Sequence, residues 1–136
     1  MPHDDTIFLK LNVELLSFFN EEQLRRVTPD IERRTYAKGE PVLFRGEITS
    51  GLYLVKKGKA VLQTKTESHA LAPGDFFGEM SVLEDVAAAE SVRAAEDGTE
   101  VLTIPHNSFA KLLKMQPLLK KALLDKAAKR KKRGAK

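Results

Sequence analysis

Between Ile31 and Pro105 the chain is interrupted at short intervals by turn-forming residues: Lys38-Gly39, Arg45-Gly46, Lys57-Gly58, Pro73-Gly74-Asp75 and Asp97-Gly98. The runs between these points are β-prone, and the clearest are Leu52-Tyr-Leu-Val55, Ala60-Val-Leu-Gln63 and Val101-Leu-Thr-Ile104. Short strands punctuated in this way predict an antiparallel sandwich or barrel. Glycine at the turns permits positive φ and a tight chain reversal.

The two ends read as helices. Phe8, Leu11, Leu15 and Phe19 recur at intervals of three and four, which predicts an amphipathic helix with one face toward a core. Asn20 is placed to cap a second helix, with Glu21 and Glu22 in its first turn, Gln23 completing a capping box, and Pro29 marking its end. After Pro105, Asn107 or Ser108 is placed to cap a helix containing Phe109, Leu112 and Leu113. Pro117 suits the first turn of another, carrying Leu118, Leu119, Ala122 and Leu123. A chain of 136 residues with 42% hydrophobic content suits one domain with a single core.

Charge is distributed unevenly. The net charge of +4 divides into −4 for residues 1–119 and +8 for residues 120–136, so a mildly acidic domain carries a basic tail. The division expected is a domain over residues 1–124 and a tail over residues 125–136. The tail centres on Lys129, Arg130, Lys131, Lys132 and Arg133 and is expected to be a solvated end that aids solubility. The alternative is a weak nucleic-acid contact through counterion release, with Kd around 10⁻⁴ to 10⁻⁶ M at physiological salt, unaided by base stacking because the tail has no aromatic residue. It also lacks the apolar anchor of a membrane-surface helix.

Several chemistries are excluded by what the chain does not contain. Without cysteine there is no disulfide, thiolate metal site or thiol nucleophile. His3, His69 and His106 share no metal-ligand spacing, and Asp75, Glu79, Glu84 and Asp85 lack the Ca²⁺-loop pattern. Ser81 and Ser91 have no nearby base in the sequence. No catalytic constellation emerges, so no enzymatic activity is expected. Ile7 to Phe19 is interrupted by Lys10, Asn12 and Glu14, which argues against a signal peptide or membrane span, and a cytoplasmic location is the default expectation.

Tyr36-x-Lys-Gly-Glu-x-Val-Leu-Phe-x-Arg45-Gly-Glu47 and Gly51-Leu-Tyr-Leu-Val-x-x-Gly58-x-x-Val61 resemble the β-roll of the cyclic nucleotide-binding domain family, that of catabolite-activator-like and cAMP-binding regulatory domains. Pro73-Gly-Asp-Phe-Phe-Gly-Glu79-Met-Ser-Val-Leu83 is similar to its phosphate-binding cassette, Ser91-Val-Arg-Ala94 to the strand after it, and Ile104-Pro-x-x-x-Phe109 through Pro117 to the closing helices. The resemblance implies a mainly β, α+β fold: an eight-stranded antiparallel β-roll, jelly-roll-like, with flanking N- and C-terminal helices. It also implies a cyclic nucleotide as ligand, at Phe77, Gly78, Glu79, Met80, Ala88, Ala89 and Ser91. Glu79 would accept the ribose 2′-OH, and backbone N–H groups near Gly78 would face the phosphate.

The family's phosphate-binding Arg falls on Ala88 when aligned without gaps from Gly78, or on Ala89 in the one-residue longer cassette. No Lys or Arg occurs between Glu79 and Arg93, and Arg93 is expected to face outward. A charge-assisted hydrogen bond contributes roughly 1.5 to 3 kcal/mol, so its loss should weaken binding roughly ten- to several-hundred-fold. Glu90 would add repulsion of roughly 3 kcal/mol if it lay about 5 Å from the phosphate. Strand alternation leaves the opposite orientation open, because Ser91 matches the family's pocket-facing Ser/Thr.

The resemblance therefore implies a stand-alone regulatory module that acts through a protein partner or self-association, with weak or altered ligand binding and no cofactor. Leu118, Leu119, Ala122 and Leu123 are the expected contact residues, unless their stripe packs permanently on the β-roll. The alternatives are a scaffold for protein interaction or dimerisation that binds no nucleotide, and a nucleic-acid-associated protein using the tail.

Overall fold

Within Gly51–Lys57, Leu52 and Leu54 turn to one side of the strand while Tyr53 and Val55 turn to the other, and this period-two alternation builds two cores on one sheet. The computed structural model describes residues 5–17, 19–79, 83 and 87–134, with side chains as far as Lys129. Its strands are β1 (Glu32–Tyr36), β2 (Pro41–Leu43), β3 (Gly51–Lys57), β4 (Ala60–Gln63), β5 (Ser68–Leu71), β6 (Phe76–Phe77), β7 (Ser91–Ala94) and β8 (Thr99–Pro105). They form two four-stranded sheets in the orders β1-β8-β3-β6 and β2-β7-β4-β5, every pairing antiparallel. This is the expected β-roll.

Tyr36, Val55, Phe77 and Val101 from the first sheet meet Leu43, Ala60, Leu62, Leu71, Val92 and Ala94 from the second, closing an apolar core between the sheets. The opposite face of the first sheet presents Leu52, Leu54, Phe76, Leu102 and Ile104 to the helices. These are α1 (Thr6–Asn12), α2 (Glu21–Arg25), α3 (His106–Met115) and α4 (Leu119–Gly134), with 3-10 turns at Glu14–Leu16 and Thr28–Asp30. Among the described residues no helix is long and apolar enough to cross a membrane.

The helical ends depart from expectation in instructive ways. The capping box at α2 is present, with Gln23 N–H on Asn20 Oδ1 at 2.8 Å and Asn20 N–H on Gln23 Oε1 at 3.0 Å. The continuous helix expected through Phe8, Leu11, Leu15 and Phe19 is corrected: α1 stops at Asn12 and Val13 is extended. The break resets the stripe, so Leu9, Val13, Leu15, Leu16 and Phe19 are buried while Leu11 is 75% exposed. Neither Asn107 nor Ser108 caps α3. That helix starts at His106 behind Pro105, and Ser108 donates instead to Asp30.

Leu119 and Leu123 are fully buried and share the helical core with Leu9, Leu16 and Phe109. Burying a leucine contributes about 1.5 to 3 kcal/mol, so these two hold α4 to the domain and do not form an outward contact stripe. Ala122 packs at the edge of this core, and only Leu118 of the four is exposed. Helix α4 crosses the expected division at residues 124 and 125 without a break, because Ala127 continues the buried series one turn further.

Strand parity also assembles a charged cluster on the helical side of the first sheet. Arg33, Lys56 and Glu100 face Asp5, which forms ion pairs with both Arg33 and Lys56, and Arg33 meets Glu100 at 3.1 Å. Burial pushes the Asp5 carboxyl up, but the hydrogen bonds and charges of Lys56 and Arg33 together outweigh it and hold Asp5 below its ordinary value. A depressed folded value contributes stability that is complete above the unfolded aspartate value and is lost as pH falls through the folded one. Asp5→Asn should therefore lower stability by about 1–3 kcal/mol near neutral pH and flatten the acid limb of the stability curve. Urea denaturation at several pH values measures both effects, and an unchanged acid limb would contradict this role.

Candidate functional site

The segment that follows β6 turns on Gly78. Its φ is +77°, a conformation that glycine adopts without strain, and it lies close to its neighbours. A Cβ there would meet Tyr53 Cδ2 at 2.9 Å and the Thr49 methyl at 3.4 Å. Tyr53 is held in turn by stacking on Phe77, with ring centroids 5.0 Å apart and planes within 9°, and by a 3.3 Å contact between its hydroxyl and Ser50 Oγ. Alternation in β6 sends Phe77 into the core between the sheets and Phe76 toward the helices.

Glu79 is buried directly after Gly78. Met80, also expected at the site, lies outside the described residues. Leu83 packs against the helical core, so the cassette touches the layer that holds α4. The opposite end of the cassette is fastened by Ala88, which donates its N–H to Glu47 O and accepts Gly46 N–H, both at 2.8 Å. These two bonds pair the cassette end with the β2–β3 loop and direct the Ala88 methyl into the core between the sheets. Ala87 and Ala89 are exposed. Of the two positions weighed for the missing cation, Ala88 faces inward and Ala89 outward.

After Ala88 the chain bends through Ala89 and Glu90 into β7, where Val92 and Ala94 are buried. Glu90 is half-buried, and its Oε1 accepts the Gly78 N–H at 3.4 Å. The Ser91 hydroxyl oxygen accepts the Arg45 N–H at 3.1 Å. Ser91 and Glu90 are both half-buried, and each accepts a backbone N–H from a neighbouring turn. Arg93 is exposed, as expected. Neither the orientation of Glu90, which lies in the bend before β7, nor the bridge from Ala88 to the β2–β3 loop leaves a local signal in the sequence.

A recess of about 320 Å³ opens beside this arrangement, with Arg34, Tyr36, Glu47, Ser50, Tyr53 and Thr103 among its walls. Tyr53 is shared between the recess and the packing around Gly78. The Arg34 guanidinium lies over the Tyr36 ring at 5.9 Å. His106, at the start of α3, donates from Nε2 to Thr49 O at 2.9 Å, tying the helical layer to the loop that faces Gly78. Among the described residues no cluster of His, Cys, Asp or Glu could hold a metal ion.

The cyclic nucleotide-binding domain model matches residues 33–116. The chain is 36% identical over 95 residues to the cyclic AMP receptor protein of Thermus thermophilus, covering 65% of this chain and 43% of that protein. It is 33% identical over 116 residues to an uncharacterised NTE family protein of Mycobacterium tuberculosis, covering 83% of this chain and 20% of that one. The chain therefore spans between a fifth and under half of these relatives. A solved structure described as cAMP-bound PfPKA-R superposes with a TM-score of 0.82 at 23% identity, covering 93% of this chain and 44% of that one, a likeness of fold.

Gly78→Ala tests whether the turn is required. The substitution places a side chain at positive φ and against the Tyr53 ring, and should destabilise the domain by about 1–3 kcal/mol. Chemical denaturation gives that loss, and a changed near-ultraviolet dichroism would report the displaced tyrosine. A variant as stable as the parent would contradict the packing described.

Proposed function

We propose that this chain, which belongs to the cyclic nucleotide-binding domain family, is a regulatory module whose output is a protein contact and whose cassette binds cyclic nucleotides weakly or takes an altered ligand. The observation that carries this reading is the contrast within the cassette. Its frame is intact at Gly78 and Glu79, yet a methyl group, Ala88, points inward where the family pattern has its cation.

The route from cassette to output is physical contact. Leu83 packs against the core that holds Leu119 and Leu123 of α4, so a shift of the cassette would alter the seat of that helix. Leu118, exposed at the preceding turn, is the one among Leu118, Leu119, Ala122 and Leu123 that is open to a partner. Helix α4 carries its basic residues beyond this seat, and a nucleic-acid contact through them is not needed for the regulatory role.

A scaffold that binds no nucleotide is the second reading, favoured by the Glu90 carboxylate on the Gly78 N–H. Titration calorimetry with cyclic AMP, cyclic GMP and a cyclic dinucleotide separates the two. The regulatory reading expects binding weaker than that of an intact cassette by roughly ten- to several-hundred-fold. Affinity equal to an intact cassette would overturn the argument from Ala88, and no binding at millimolar ligand would leave the scaffold.

A further inference from the structure

We infer that Glu90 determines the specificity of the cassette by acting as its built-in anion: the carboxylate takes the Gly78 N–H and so turns away a phosphate-bearing ligand. This rests on the reading of the cassette as a ligand site with a weakened hold on phosphate.

Three observations converge on Glu90. The first is position: the Ala88 bonds to Gly46 and Glu47 fasten the end of the cassette two residues before Glu90, which is half-buried. The second is contact, because Glu90 Oε1 meets the Gly78 N–H at 3.4 Å. The third is charge. No Lys or Arg occurs between Glu79 and Arg93, and among the described residues the hydrogen bond to Gly78 is the contact that the Glu90 carboxylate makes.

A ligand phosphate and the Glu90 carboxylate both need a donor at this point, and each carries negative charge. With about 5 Å between them and an effective dielectric near 20, their repulsion weakens binding on the order of a hundredfold. The same carboxylate also limits what a restored cation could achieve. The cation introduced by Ala88→Arg, two residues from Glu90 in the chain, should be partly neutralised by that carboxylate, leaving less of its charge for a ligand.

The experiment is a titration of cyclic AMP to millimolar concentration into the parent chain and the Glu90→Ala, Glu90→Gln, Ala88→Arg and Ala88→Arg/Glu90→Ala variants, each checked for folding by circular dichroism. Glu90→Ala should bind about tenfold tighter than the parent or better. Glu90→Gln, which keeps the acceptor oxygen and loses the charge, should gain less. Ala88→Arg should gain at least about fivefold more in the Glu90→Ala background than alone, the non-additivity expected of neighbouring groups. Equal or weaker binding by folded Glu90→Ala and Glu90→Gln would overturn the inference, and Glu90→Gln decides alone if Glu90→Ala does not fold. Failure of the underlying reading looks different, because the parent chain would then bind as tightly as an intact cassette, or neither the parent nor any variant, Ala88→Arg/Glu90→Ala included, would bind at millimolar cyclic AMP.

Discussion

The two hydrogen bonds between Ala88 and the Gly46–Glu47 turn fasten the end of the cassette to the β2–β3 loop just ahead of β7. A strand alternates strictly, so a slip of one residue at its start would reverse every side chain after it. With Ala88 inward, Val92 and Ala94 close the core between the sheets, Ser91 and Arg93 face away, and Glu90 is brought to Gly78. The Ala88 anchor thus sits between the packing of the second sheet and the Glu90 contact at the cassette.

The first sheet connects this site with the rest of the molecule because both of its faces are buried. Tyr53 and Phe77 stack on the side of the site, while Leu54 and Phe76, their sequence neighbours, pack under the helices. Leu83 reaches the helical core from the cassette, and His106 reaches the Thr49 carbonyl from α3. A change in the position of the cassette is therefore opposed by close packing on two sides, and packed layers of this kind shift between discrete arrangements more readily than they deform. The cluster of Asp5, Arg33, Lys56 and Glu100 holds the N-terminal segment on the same sheet.

Much of this was legible in the sequence because its causes are local. The Gly-marked turns and the runs at Leu52, Ala60 and Val101 place strands, and Asn20 with Gln23 places the start of α2. The family's motifs located Gly78 and Glu79. Less legible were features set by contacts distant in sequence. The apolar spacing of Phe8, Leu11, Leu15 and Phe19 suggested one helix, but the extended Val13 divides it and exposes Leu11. Leu119 and Leu123 look the same in sequence whether they face a partner or a core, and tertiary packing decides for the core. The Ala88 bridge to residues more than 40 positions away and the Glu90 contact with Gly78 join segments apart in the chain, which no local pattern encodes.

The most direct test is the amide resonance of Gly78 in the ligand-free protein. If Glu90 supplies the acceptor for that N–H, its proton should lie downfield in the parent chain and move upfield in Glu90→Ala, while amides elsewhere in the β-roll keep their positions. Saturating cyclic AMP should move it little in the parent and clearly in the variant. A Gly78 amide that is indifferent to Glu90→Ala, or that responds equally to cyclic AMP in both proteins, would contradict the account.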